Sequence, residues 1–162
     1  MKYQQTIRTN VNGSEIVYTI PNRLTLAEFL HDWLGLTGTK VSCHMQVCGV
    51  CTVLVDGLPV SACTYLAADI DGANVLTIEG LATNGELHPL QQTFIEKFAF
   101  QCGYCTPGMI MMGVSLLEEN PSPTSEQVIE YFDGNICRCT GYRPILDAVL
   151  LAAERLKESG NG

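Results

Sequence analysis

No stretch of this sequence is long and apolar enough to cross a bilayer. The longest apolar run, around Met109 to Leu117, is interrupted by Gly113 and Ser115 and falls short of the roughly 20 residues a spanning helix needs. The opening residues, Met1 to Asn10, are polar and carry no apolar core of a secretory leader. Positive charge is scarce as well. Nine Lys and Arg stand against 17 Asp and Glu, for a net charge of −8, which argues against nucleic acid as a partner and identifies no other. Internal repeats and low-complexity tracts are absent. These absences point to a cytoplasmic protein, where thiols stay reduced and grouped cysteines more often bind metal than pair as disulfides.

What is present is a foldable composition, 46% hydrophobic and 16% charged over 162 residues. That length suits one ordinary domain or two small ones. Halves of about 80 residues would have thin cores, which small proteins often reinforce with metal or disulfides. Eight cysteines are available for that purpose.

The first half reads as strands around one helix. Lys2 to Arg8 alternates weakly, Asn12-Gly13 marks a hairpin, and Ser14 to Ile20 forms its return strand. Thr25 followed by Glu28 is a capping box for a helix to about Trp33. Thr52 to Val55 is β-branched, and Asp56-Gly57 turns it into a strand expected to reach Cys63. Val75 to Ile78 is a last short strand. This order is compatible with a β-grasp, although strand order is not legible from propensity. Gly80, Asn84 and Gly85 mark a boundary, giving expected domains of residues 1–80 and 81–162. Beyond it the pattern is helical: Pro89 to about Phe98, Thr106-Pro107 to about Glu119, a Thr124/Gln127 capping box to about Phe132, and Pro144 to Lys157.

Cysteine placement is the strongest signal. Cys43, Cys48 and Cys51 have the spacing C-x4-C-x2-C, and Cys63 follows after eleven intervening residues. That three-cysteine spacing is the plant-type [2Fe–2S] pattern. A loop of thiolates must wrap the cluster with backbone N–H groups aimed at the sulfurs, which calls for small residues such as Gly49. The second group is Cys102-x2-Cys105 with Cys137-x-Cys139. Cys105 and Cys139 each precede a predicted helix, whose N-terminus favours thiolate. A four-cysteine zinc site would also accept two such pairs.

Three segments resemble the iron–sulfur subunit of molybdenum hydroxylases, the family of xanthine dehydrogenase, aldehyde oxidoreductase and aerobic carbon monoxide dehydrogenase. They are Ser42 to Val53 (SCHMQVCGVCTV), Gln101 to Met109 (QCGYCTPGM) and Gly134 to Pro144 (GNICRCTGYRP). The resemblance implies an α+β chain: an N-terminal plant ferredoxin-like β-grasp domain and a C-terminal four-helix domain. Each would bind one [2Fe–2S] cluster, through Cys43, Cys48, Cys51 and Cys63, and through Cys102, Cys105, Cys137 and Cys139. It also implies a hetero-oligomer with a large subunit holding molybdopterin and usually a medium subunit holding FAD. Electrons would pass from molybdenum through the helical-domain cluster, then the ferredoxin-like cluster, to the flavin. Gln101 and Cys139 occupy positions that approach the pterin in relatives. The chain alone would carry no catalytic residue. The other readings are a free-standing two-cluster ferredoxin and a structural zinc protein.

The first loop departs from the family pattern. Relatives usually carry an acidic residue and glycines after the first cysteine, where this chain has His44, Met45, Gln46 and Val47. The loop's backbone path is therefore of interest, since β-branched Val47 tolerates positive φ poorly. A Rieske-type role for His44 would need a second histidine on the same iron. A solvated or hydrogen-bonding His44 fits the sequence better. The Met109 to Met112 run is read as core by its helical spacing, with a partner-facing surface as the other reading.

Overall fold

The computed structural model describes residues 3–160, so the start of the expected first strand at Lys2 lies outside the described residues. Five strands form one mixed sheet: β1 (Gln4–Val11), β2 (Ser14–Pro21), β3 (Thr52–Val55), β4 (Leu58–Ser61) and β5 (Asn74–Leu76). Their order is β2-β1-β5-β3-β4. β1 and β5 run parallel, with Val11 opposite Val75, and the other pairings are antiparallel. This is the β-grasp arrangement. The parallel contact of the first and last strands could not be read from local sequence, because tertiary packing sets it.

The helix that crosses this sheet opens as expected. The Thr25 hydroxyl accepts from the Glu28 N–H, and the Glu28 carboxylate reaches back to the Thr25 N–H. After one turn, α1 (Leu26–Glu28), it widens into a π-helical turn over Phe29–Trp33, closed by Leu34 N–H on Phe29 C=O at 3.1 Å. Phe29 and Leu30, consecutive in this turn, are both fully buried in the core. Two strand ends also differ from expectation. β4 stops at Ser61, because Thr64 and Tyr65 N–H both bond Ser61 C=O and turn the chain. Cys63 therefore sits in a turn rather than on a strand. β5 ends at Leu76, and Thr77 leads into a 3-10 turn at Ile78–Gly80, tied by Thr77 N–H to Asn12 Oδ1 at 2.9 Å.

The second half is helical: α2 (Pro89–Glu96), α3 (Thr106–Glu119), α4 (Ser125–Tyr131) and α5 (Arg143–Gly160). α2 and α5 are clamped by a two-pronged ion pair, Arg155 to Glu96, at 2.7 and 2.6 Å. α2 ends two residues before the expected Phe98. Phe98 and Ala99 N–H groups close back on Ile95 and Phe94 carbonyls, which places Phe98 in the left-handed region at φ 51°. Such a closure ordinarily takes glycine.

Two hydrophobic cores result. Ile7, Ile20, Leu26, Phe29, Leu30 and Val53 fill one side of the sheet. Leu90, Phe94, Met109, Met111, Val128 and Val149 fill the helical half. β3 lies between them: Val53 and Val55 face the first core while Leu54 faces the second. Alternate side chains of a strand point to opposite faces, so a strand covered on both faces reads as a continuous apolar run. Met109, Ile110 and Met111 are buried and Met112 packs half-buried against the same core.

Candidate metal centres

The first cysteine group lies on the loop between α1 and β3 and in the turn after β4. Cys48, Cys51 and Cys63 are buried and Cys43 is half-buried. Backbone amides aim at the sulfurs: Met45 and Val47 N–H donate to Cys43 Sγ at 3.5 and 3.4 Å, and Cys63 N–H donates to Cys51 Sγ at 3.5 Å. The loop attains this path with positive φ at His44 (56°), Gln46 (60°) and Gly49 (64°). Val47 escapes the left-handed region. Thr64 Oγ1 donates to Gln46 Oε1 at 3.1 Å and holds the loop against the turn that carries Cys63.

The second group lies between the end of α2 and the start of α3, and between α4 and α5. Cys105 is the residue before α3, whose first turn contains Pro107. Cys137 is buried, Cys105 half-buried, and Cys102 and Cys139 are exposed. Cys139 Sγ is 3.7 Å from Cys102 Sγ. Cys137 Sγ receives two bonds from Thr140, from its N–H at 3.4 Å and its hydroxyl at 3.1 Å.

The electrostatics divide the thiols into two kinds. The N–H groups of Met45 and Val47 pull the Cys43 thiol down to about 6. Cys137 is also lowered: burial opposes this but is outweighed by the Thr140 hydroxyl and N–H. Burial instead pushes Cys51 and Cys105 up to about 12. A buried thiol of that kind ionises only when a cation is bound to it, and metal coordination does this outright.

None of the eight cysteines is in a disulfide, and they meet in pairs. Cys43 lies against Cys48, and Cys51 lies against Cys63, whose N–H donates to Cys51 Sγ at 3.5 Å. Cys102 meets Cys139, and Cys105 meets Cys137. Among the described residues no three His, Cys, Asp or Glu side chains gather around a point that one ion could occupy. A four-thiol zinc site gathers all its donors on one ion. Two thiols for each of two irons is the arrangement a [2Fe–2S] cluster requires, so the donor set fits that group.

Two family profiles cover most of the chain. One, described as a 2Fe-2S iron-sulfur cluster binding domain, matches residues 9–76, and the other, a [2Fe-2S] binding domain, matches residues 77–150. The nicotine 6-hydroxylase small subunit of Paenarthrobacter nicotinovorans is 49% identical, over 89% of this chain and 87% of its own length. The nicotinate dehydrogenase small FeS subunit of Eubacterium barkeri is 46% identical, over 93% and 96%. The chain is an iron–sulfur subunit of the molybdenum hydroxylase family. Quinoline 2-oxidoreductase from Pseudomonas putida 86 contains a chain of the same fold, with TM-score 0.92 and 41% identity over 96% of this chain and 98% of that one. As a member of that family it is an electron-transfer subunit of an oxidoreductase and carries two [2Fe–2S] clusters.

In this iron–sulfur subunit the two cysteine groups are joined by contacts that cysteine spacing does not reveal. Ile136 N–H donates to Cys48 C=O at 2.9 Å, and Asn135 Nδ2 donates to Gly49 C=O at 3.2 Å. Tyr104 hydroxyl donates to Val41 C=O at 2.7 Å. Gly108 lets α3 approach the same loop, since a Cβ there would lie 2.6 Å from Gly49 O and 2.7 Å from Val50 O. Asn135, Thr140 and Tyr142 all lie within the Gly134 to Pro144 segment, so the motif contained them although reasoning from ligands alone passed over them. Gln101, Cys102 and Cys139 are exposed, with the Cys102 and Cys139 sulfurs in contact, and the chain leading to them carries exposed Phe98 (79%) and Phe100 (38%). No helix of the described residues is long and apolar enough to cross a membrane.

Proposed function

We propose that Cys43, Cys48, Cys51 and Cys63 hold one [2Fe–2S] cluster and Cys102, Cys105, Cys137 and Cys139 hold the other. The pairing of the thiols carries this reading, with Cys43/Cys48, Cys51/Cys63, Cys102/Cys139 and Cys105/Cys137 each serving one iron. When bound, such clusters carry one electron at a time, which suits a chain between a two-electron site and a separate acceptor. We assign residues 1–80 to the ferredoxin-like half and 81–162 to the helical half. The meeting of the two matched profiles at residues 76 and 77 supports a boundary in this region.

The resemblance suggests the partners, and the exposed edge supports a contact with one of them. Gln101 and Cys139 face a molybdopterin held by a large subunit, and FAD belongs to a medium subunit that meets the first cysteine loop. Relatives named as small subunits of nicotine and nicotinate hydroxylating or dehydrogenating enzymes support a hetero-oligomer. The strained, exposed Phe98 beside Gln101 supports it too, because strain at an exposed apolar residue marks a surface kept for contact. The same reading favours the cytoplasm, where cysteines are kept out of disulfides and available to metal.

The test is composition. With two [2Fe–2S] domains per chain, analysis should find about four iron and four acid-labile sulfide. Native purification should bring down one molybdenum-containing and one flavin-containing chain. Stoichiometric zinc, or a monomer carrying both clusters and no partner, is the result that defeats the reading.

A further inference from the structure

The sulfurs of the two groups receive hydrogen bonds of different kinds. In the first group every donor from outside the cysteine side chains is a backbone N–H: Met45 and Val47 to Cys43, and Cys63 to Cys51. In the second group Cys137 Sγ accepts from the Thr140 N–H and also from the Thr140 hydroxyl at 3.1 Å. Among the described residues this is the one side-chain hydroxyl bonded to a cysteine sulfur. Its direction is fixed by chemistry. A ligating sulfur has no proton to give, so the hydroxyl must donate.

The hydroxyl is also held in place. Tyr142 N–H donates to Thr140 Oγ1 at 3.3 Å, and Cys137 N–H donates to the Tyr142 hydroxyl at 3.0 Å. The three residues close a ring around Cys137, and Tyr142 adopts φ 67° within it. A tyrosine in that region is strained, and strain of this kind persists only where surrounding contacts over-determine it. Ser or Thr is the smallest side chain that can both accept from Tyr142 N–H and donate to Cys137 Sγ.

We propose that Thr140 is a positioning residue that raises the reduction potential of the cluster held by Cys102, Cys105, Cys137 and Cys139. This rests on the ligand reading given above. Reduction adds one electron and no proton, so the cluster gains one negative charge and its sulfurs become stronger acceptors. A donor aimed at a sulfur therefore favours the reduced form. The bond falls on buried Cys137, next to the Ile136–Cys48 junction, and not on the exposed Cys102/Cys139 side. It draws the added charge towards the first cysteine loop.

Potentiometry followed by electron paramagnetic resonance on the iron-loaded full chain tests this. Thr140→Val keeps the N–H bond and removes the hydroxyl. At fixed ambient potential its second cluster should show a roughly tenfold lower ratio of reduced to oxidised form, which is about 59 mV for one electron. The first cluster's signal should stay at its wild-type potential, and Thr140→Ser should restore the second. Thr140→Ala carries the same expectation if the valine chain does not load. A loaded Val or Ala chain with wild-type potential overturns the inference, as does an equal shift of both clusters or a Ser chain that behaves like Val. Failure of the wild-type chain to bind iron would instead strike the ligand reading.

Discussion

Asn135 Nδ2 donates to the carbonyl of Gly49 across the junction of the two halves, at 3.2 Å. The two residues also limit each other sterically. Gly49 sits at φ 64°, and a Cβ on it would lie 2.6 Å from Asn135 Cγ. The residues next to them are Cys48 and, by its own bond to Cys48 C=O, Ile136. One small patch therefore fixes how the loop of the first cysteine group lies against the segment that carries Cys137.

Gly49→Ala must meet both the left-handed backbone and the clash. It should cost at least about 2 kcal/mol, lowering the melting temperature of the loaded chain by about 4–8 °C. Asn135→Ala should cost less, under about 1 kcal/mol, because it also removes Oδ1, which is buried without a donor. The double variant should recover part of the Gly49→Ala loss, since the clash goes with the Asn135 side chain. Thermal melts of the three variants check this, and strict additivity would contradict it.

His88 makes stability depend on pH. It is the N-cap of α2, and its Nδ1 accepts from Leu90 N–H at 3.2 Å. Burial lowers its pKa below the ordinary value. Glu118 on α3 and Lys157 on α5 line the same cavity. A protonated imidazole would put a second donor where Leu90 needs an acceptor. The contribution is therefore present above the unfolded value of about 6.5 and fades as pH falls below it towards the lowered folded value. His88→Asn keeps an N-cap acceptor without a titrating group, so melts between pH 7.5 and pH 5.5 should show a smaller fall than in wild type.

Much of this was legible in the chain itself, and the misses have physical causes. The capping boxes at Thr25/Glu28 and Thr124/Gln127 formed as read, because a cap depends only on residues within one turn. The β1–β5 parallel pairing was not legible, because Asn10 and Asn74 are brought together by packing and not by a turn. The π-helical turn at Phe29–Trp33 was not legible either, because the capping box fixes where the helix starts and not the width of its second turn. At the metal centres the cysteines announced themselves by spacing. The bonds from Thr140, Tyr142 and Asn135 did not, since a hydroxyl or an amide has no spacing rule.

The first loop yields a stabilising change. His44 occupies φ 56° and is exposed. A left-handed residue with a Cβ costs roughly 1–2 kcal/mol relative to glycine, partly offset by the greater freedom of glycine in the unfolded chain. His44→Gly should therefore stabilise the loaded chain by up to about 1 kcal/mol, or about 2–4 °C. Val47, outside the left-handed region, gives no such gain. Parallel melts of His44→Gly and Val47→Gly test the contrast, and equal shifts would show that φ is not the cause.

The order of electron flow is testable with single ligands, given the ligand sets proposed here. The Cys102/Cys139 edge is exposed and the Cys137 side abuts the Cys48 loop, so the second group stands between an outer partner and the first group. Cys105→Ser should disable the second cluster and leave the first one oxidised when substrate is added to the assembled complex. Cys48→Ser should let reduction reach the second cluster and stop there, with the flavin oxidised. Losing a ligand can unfold a small half held together by metal. Each variant is therefore first shown to assemble, by native mass measurement and by iron content. Rapid mixing with substrate, followed at the flavin and iron–sulfur absorption bands, separates the cases. Flavin reduction at the wild-type rate in the assembled Cys105→Ser complex would mean that electrons bypass the second group, and the order proposed here would fall.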